Sequence, residues 1–500
     1  MRVWTSWSAT GPWHFANPNP AKRQGGQRST SHSVSPVFHS LVFAVALTLS
    51  GCAAMAPAVP PIGELTEIAP RYGYRFSNLE NGRYNSDGLF IVASFSGGGT
   101  RSAALAYGVL DKLRATPILW GGQPRRLLDE IDVINSVSGG SYAAAYYGLY
   151  GDAFFSDFPS EFLHADFQTE LWDQYVSFTG LSQLIGWSSN DRVDRLSQIL
   201  ERRLFGKQTF ADLVKRRQRP LIVIHATDLN RGSDFQFTQD QFDPLCNDLS
   251  SLTISRAVAA SSAVPILFGP VVMKNNSGRC GYVRPSWVER AVTEVPNPTG
   301  TQRAMRRAAD FDSYLDSSES TGRPWIHLID GGISDNLGLR GPLESSAARG
   351  GLAPLLYRLG VRGVKKVVFL VVSAEVLPDR GIDRSGQAPS TVQMASAVVD
   401  ALMNNNSFET MTWLRASLNL WRSEAQELAH TVDSPYAGSP DFYLIEAHLQ
   451  NIADPVERNR MMHIPTALKL EEQQVQSLIS AGRALLKNSP EFQRLVSDLQ

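Results

Sequence analysis

Cysteine is scarce in this 500-residue chain, with three in all: Cys52, Cys246 and Cys280. None forms a Cys-x-x-Cys pair or a His/Cys cluster, so the motifs of a structural zinc or a redox dithiol are missing and no metal is expected. Positive charge is not in excess either, because 47 Lys and Arg stand against 48 Asp and Glu. A partner whose phosphates need neutralising is therefore disfavoured, and no nucleic acid is expected. The apolar run over residues 41–49 falls well short of the roughly 20 residues a membrane-spanning helix needs. Acidic side chains are absent from the first fifty residues, and no internal repeat recurs along the chain. What is present is the make-up of a folded protein, 43% apolar and 19% charged, long enough to bury a large core with appended elements.

The acid-free opening contains Arg2, Lys22, Arg23 and Arg28, and the run at 41–49 follows it. That composition is a targeting signal with a short apolar core. Directly after it stands Leu49-Ser50-Gly51-Cys52, which resembles the lipobox of bacterial lipoproteins. The resemblance implies cleavage before Cys52, lipid on its thiol and anchoring to a membrane through that residue. Ala53 stands where an Asp would signal retention at the inner membrane. The expected location is therefore the outer membrane of a Gram-negative-type bacterium, facing the periplasm. Residues 1–51 are then a signal peptide, and the proline-punctuated stretch 52–88 a lipidated tether. Cys246 and Cys280 remain, free to pair or to stay as buried thiols.

From residue 89 the pattern changes. Short β-branched runs at 89–95 and 131–137 each lead into a glycine-containing loop and then a helical stretch, and further strands are expected at 221–226, 326–329 and 367–372. Strands alternating with helices predict an α/β fold with a mainly parallel central sheet covered on both faces. One large domain is placed at 89–386. From 387 to 500 strand-like runs disappear and a mostly helical C-terminal extension is expected, with Asn404-Asn405-Asn406 as a connector or helix end. Beyond Pro465, residues Leu468, Val475, Leu478, Ile479, Leu485 and Leu486 fall largely on one helical face that ends before Pro490. That face is expected to pack on the core.

Three short segments carry the chemistry. Ser138-Gly139-Gly140 follows a strand and opens a helix, the setting that exposes a serine hydroxyl as a nucleophile. Gly97-Gly98-Gly99 follows another strand, and amides there can hold an oxyanion. A nucleotide reading of this loop lacks support, since no Lys-Ser/Thr pair closes it and no acid lies near Leu119. Asp330-Gly331-Gly332 follows the run ending at Ile329. In this order the three elements resemble the patatin-like phospholipase family. The likeness extends over 89–343 through Ile224-His225-Ala226-Thr227-Asp228, through Ala257 to Pro265, and through Asp335-Asn336. Ser102 and Ser136 stand where the family has glycine.

The resemblance implies the patatin-like three-layer α/β/α fold and a Ser138–Asp330 dyad. Gly97, Gly98 and Gly99 would form the oxyanion hole, and the substrate would be a phospholipid or another acyl-ester lipid, cleaved with no cofactor. A non-catalytic lipid-binding lipoprotein, or an acyltransferase on the same scaffold, is the alternative. His225 and His327 fall inside strands and His430, His448 and His463 in no strand-end motif, so a histidine triad is not favoured. Arg101 reads as a surface or ion-pairing group. The aromatic stretch Phe154, Phe155, Phe158, Phe162, Phe167, Trp172, Tyr175 and Phe178 reads mainly as core.

Overall fold

Uninterrupted apolar runs without alternation make strands that are covered on both faces, and Leu89–Phe95 (β1) is such a strand, buried at every position. The computed structural model describes residues 59–500 apart from 84, 177–188, 266, 294–297 and 376–381. The signal segment, Cys52 and Phe178 lie outside the described residues. From Pro57 onward the chain forms one unit, and the later part of the stretch expected as a tether belongs to it, because Tyr74, Phe76 and Leu79 are buried in the core. Its central sheet has eight strands, numbered in chain order: β1, then Ile131–Val137 (β2), Leu221–Asp228 (β3), Ser233–Gln236 (β4), Val271–Lys274 (β5), Trp325–Asp330 (β6), Val364–Ser373 (β7) and Tyr436–His448 (β8).

Their order is β8-β7-β1-β2-β3-β6-β5, with β4 also paired to β3. From β8 to β3 every pairing is parallel. Both β4 and β6 run against β3. The register then decides where the strand ends meet. His225 of β3 faces Val137 of β2 and Gln236 of β4, so those two neighbours lie on opposite sides of β3. Ala226, Thr227 and Asp228 pair with β4 and also with Asp330, Ile329 and Leu328 of β6. β6 must therefore share the side of β2. The two strands approach head-on along one flank of β3, β2 ending opposite His225 and β6 ending opposite Ala226.

The fold is the α/β architecture with a mainly parallel sheet that was expected, and the strands expected at five positions are all present, three of them with longer ends. The C-terminal part departs from expectation in two ways. It contributes β8, the 13-residue edge strand parallel to β7. Gly438, Ser439 and Pro440 interrupt its apolar run, which hid it. Asn404-Asn405-Asn406 does not end a helix but lies within Thr391–Leu428 (α4), whose start is closed by a capping box between Ser390 and Gln393. Asn406 is retained there because its amide donates to Ile333 O at 2.7 Å and accepts from Arg340 at 3.1 Å.

The last long helix, Glu472–Asn488 (α5), stops before Pro490 and buries Val475, Leu478, Ile479, Leu485 and Leu486, as the one-sided apolar pattern predicts, whereas Leu468 precedes the helix and is half-buried. It lies against Gly99–Arg114 (α1), the helix that follows β1. A Cβ on Gly108 would meet Ile479 O at 2.1 Å, and one on Gly482 would meet Leu105 O at 2.5 Å. Two glycines thus let the backbones touch. Cys246 and Cys280 are joined as a disulfide with Cα atoms 5.5 Å apart. Among the described residues no helix is long and apolar enough to cross a membrane.

Candidate active site

β2 ends at Val137, and the chain turns sharply into Gly139–Tyr150 (α2). Ser138 makes that turn at φ 46°, a conformation that costs a side-chain-bearing residue about 1–3 kcal/mol and persists only where its surroundings enforce it. Here the enforcement is steric and polar. A Cβ on Gly139 would lie 2.2 Å from Gly99 O, and one on Gly140 would lie 2.5 Å from Phe95 O. The Ser138 N–H donates to Ser261 Oγ at 2.8 Å.

Because β6 runs head-on toward β2, its last residue, Asp330, arrives beside Ser138. The Ser138 hydroxyl donates to Asp330 Oδ2 at 2.8 Å, while Oδ1 accepts the Gly332 N–H at 2.8 Å. One carboxylate oxygen is thus fixed by backbone and the other faces the serine. Asp330 is fully buried. Loss of water pushes its carboxyl up to about 6, with the bonds from Gly332 and Ser138 pulling back part of the rise. Such a carboxylate is a stronger base than a solvated one and is still ionised near neutrality. Among the described residues no histidine bonds to either member. His225 is held between Asp234 at 2.8 Å and Asn135 at 3.0 Å, as a core histidine would be. His327 lies within β6 and is half-buried.

The third segment links β1 to α1. Gly98 and Gly99 take φ of 136° and 58°, open to glycine and strained for other residues. Gly97 is not equivalent to them. Its N–H is directed at Asn336, 3.1 Å from Oδ1 and 3.2 Å from the main-chain oxygen. Among the described residues no acceptor engages the Gly98 and Gly99 N–H groups, so these two, rather than all three, are open to an oxyanion. Asn336 ties the glycine loop to the segment after Asp330, a role that the Asp335-Asn336 motif hinted at without specifying.

Arg101 is not a surface group. It is 2% exposed and donates to Ala374 O at 2.8 Å, Ile464 O at 2.5 Å and Thr466 Oγ1 at 3.0 Å. Burial lowers its guanidinium to about 10. The next link is Thr100 N–H to Ala467 O at 2.9 Å. Residues 464–467 therefore brace the start of α1, and no sequence pattern announced them. The serines that replace family glycines also find partners, Ser136 Oγ donating to Val223 O at 3.2 Å and Ser102 Oγ to Ser96 O. Phe154, Phe155, Phe158, Phe162 and Phe167 are core, whereas the side chains of Trp172 and Tyr175 are outside the described residues. No cluster of three or more His, Cys, Asp or Glu placed to hold a metal occurs among the described residues.

A family model, described as Patatin: patatin-like phospholipase, matches residues 93–343. The chain belongs to the patatin-like phospholipase family. Solved structures of human GIVD cytosolic phospholipase A2 are similar at 13% identity, with a TM-score of 0.39 over 83% of this chain and 60% of that one. The same human protein in complex with methyl gamma-linolenyl fluorophosphonate gives 13% identity and a TM-score of 0.37, over 83% and 59%. This chain thus spans under two thirds of the length of these structures. No curated protein matches it. The family match covers all three segments of the site, from the end of β1 to just past Asn336.

Proposed function

We propose that this patatin-like protein is a lipid acyl hydrolase of the phospholipase A or lysophospholipase type, acting through Ser138 and Asp330. The observation that carries the reading is the 2.8 Å bond from the Ser138 hydroxyl to a buried carboxylate whose pKa stands near 6. Asp330 accepts the serine proton as Oγ attacks the ester carbonyl. The Gly98 and Gly99 N–H groups receive the oxyanion, whose charge is stabilised most in a site that excludes water. Collapse of the tetrahedral intermediate expels the alcohol, which takes the proton back from Asp330. Water, deprotonated by the same carboxylate, then frees the acid from Ser138. In the same reading, Cys52 carries lipid and holds the enzyme at the outer membrane, facing the periplasm.

The test is ester hydrolysis by the full-length protein beside Ser138→Ala, on phospholipid, lysophospholipid and p-nitrophenyl butyrate. The expected loss of kcat is on the order of 10³-fold or more, since the nucleophile itself is removed. Equal turnover by two well-folded proteins would sink the reading and favour a lipid-binding lipoprotein. Added alcohol acceptor, with the acyl product traced, separates hydrolysis from acyl transfer. A Cys52→Ser variant that still partitions with membranes would remove lipidation as the anchor.

A further inference from the structure

The helix Ile254–Ser261 (α3) ends beside both members of the pair. Its last residue, Ser261, is fully buried. The Ser261 hydroxyl accepts the Ser138 N–H at 2.8 Å and donates to His225 O at 2.6 Å. Its main-chain oxygen accepts the Gly331 N–H at 3.2 Å, and two residues on, Ala263 O accepts the Asp330 N–H at 3.0 Å. One helix end thus holds the nucleophile through a side chain and the base through the backbone.

We infer that Ser261 is a positioning residue for the acyl-transfer step: its hydroxyl fixes the Ser138 amide at the separation from Asp330 that proton transfer needs. The inference rests on the reading of Ser138 and Asp330 as the catalytic pair. Ser138 is strained at φ 46° and cannot hold that turn unaided. Of its own polar groups, the hydroxyl must leave Asp330 to attack, so only the backbone can keep the residue in place during the reaction. Ser261 supplies the acceptor for that backbone. Its own position is fixed from the other side by His225 O, on a residue whose ring is locked by Asp234 and Asn135. The third contact of the hydroxyl, Ser141 Oγ at 3.1 Å, lies within the helix that follows Ser138. Since the Gly331 and Asp330 bonds are to main-chain oxygens, replacing the Ser261 side chain disturbs the nucleophile and spares the base.

A hydroxyl that served only to satisfy buried polarity would move stability when removed, and leave turnover of the folded protein alone. The test therefore reads kcat and KM separately on the full-length protein with p-nitrophenyl butyrate, for Ser261→Ala and for Ser261→Cys. Cysteine nearly keeps the volume while replacing the oxygen with a weak acceptor, so it carries the test if alanine fails to fold. Misplacing a reacting atom by about 1 Å costs up to ~100-fold. The expected result is a fall in kcat of about 10- to 100-fold with KM within about twofold of wild type, and labelling of Ser138 by a fluorophosphonate slowed by a similar factor. Unchanged kcat and labelling in a folded variant, or a loss confined to KM, overturns the inference. Ser138→Ala runs alongside. If it is inactive while Ser261→Cys turns over fully, only the role of Ser261 is lost. Full turnover by Ser138→Ala would instead remove the pair and the inference together.

Discussion

Ser138 stands at the end of a strand that runs with its neighbours, and Asp330 at the end of one that runs against them. The two ends are also held by different physics. Around Ser138 the backbone is packed so closely that Gly139 and Gly140 have no room for a Cβ, and the turn is strained. Around Asp330 no residue takes a positive φ, although a Cβ on Gly331 would likewise fall 2.4 Å from His225 O. The Asp330 N–H donates to Ala263 O at 3.0 Å, its main-chain oxygen accepts from Thr227 Oγ1 at 2.8 Å, and one carboxylate oxygen accepts from Gly332. Close packing is shared, and the difference is that Ser138 sits in a strained turn while Asp330 is held by hydrogen bonds and burial, so the two sides should fail differently when altered.

The largest expected effect breaks that comparison with one methyl group on each side. In Gly139→Ala the new Cβ falls 2.2 Å from Gly99 O and 2.4 Å from Gly99 N, backbone atoms that cannot yield without moving both the turn and the glycine loop. A cost of about 3 kcal/mol or more is expected, with near-complete loss of activity in whatever folds. In Gly332→Ala the one contact under 3 Å is with Met403 Cε at 2.1 Å, the far end of a flexible side chain, while Asn336 Oδ1 at 3.0 Å and Asp330 Oδ1 at 3.1 Å need give only by a few tenths of an ångström. That variant should lose about 1 kcal/mol or less and keep most of its turnover. Thermal melts and ester hydrolysis of the two proteins, side by side, check it. Similar damage in both would mean that the base loop is as sterically fixed as the elbow.

The two sides were also unequally legible in the sequence. Ser138, with glycines behind an apolar strand, is a local pattern, and so is the run that makes β1. The placement of Asp330 beside it is not local, because it depends on β6 running against β3 on the flank that β2 also uses. A strand of six residues carries no mark of its direction. The same limit hid β8, whose Gly438-Ser439-Pro440 interruption reads as a turn, and the bracing of α1 by residues 464–467, whose contacts to Arg101 and Thr100 span more than 360 positions. Gly97 shows the finer limit. Three successive glycines look alike as letters, yet the amide of the first is taken by Asn336.

Asn336 gives the next, smaller effect, since it joins the strained side to the hydrogen-bonded one. Asn336→Ala removes the side-chain acceptor of the Gly97 N–H and leaves the weaker main-chain contact at 3.2 Å. Gly98 and Gly99 then lose their fixed aim. Mobile oxyanion donors stabilise the transition state less, and a fall in kcat of about 10- to 100-fold is expected, with the Ser138–Asp330 bond intact. Fluorophosphonate labelling and steady-state kinetics measure it. A kcat equal to wild type would mean that the main-chain contact alone sets the loop.

The smallest effect concerns stability on the base side, and its sign is opposite to that on activity. Burial raises the Asp330 carboxyl from 3.8 to about 6, so the folded state binds its proton more tightly than the unfolded chain does. Folding therefore pays a penalty for the ionised carboxylate that is absent below about pH 4, grows between pH 4 and 6, and is complete above that. Asp330→Asn removes the charge and keeps the hydrogen bonds, its Oδ1 accepting from Gly332 and its amide donating to Ser138 Oγ. The variant should be inactive and yet more stable than wild type by about 1–3 kcal/mol near pH 8. That advantage should shrink toward pH 4 and vanish below it, where Asp330 is protonated in the unfolded chain as well as in the folded one. Wild-type kcat/KM should fall over the same interval, losing about tenfold for each pH unit below 6 as the base is titrated. Chemical denaturation of both proteins at pH 4, 6 and 8 separates the cases: a variant less stable than wild type at pH 8 would show that the carboxylate is held by attraction and not merely buried, and the contrast between the two sides of the site would then narrow to the strained turn at Ser138.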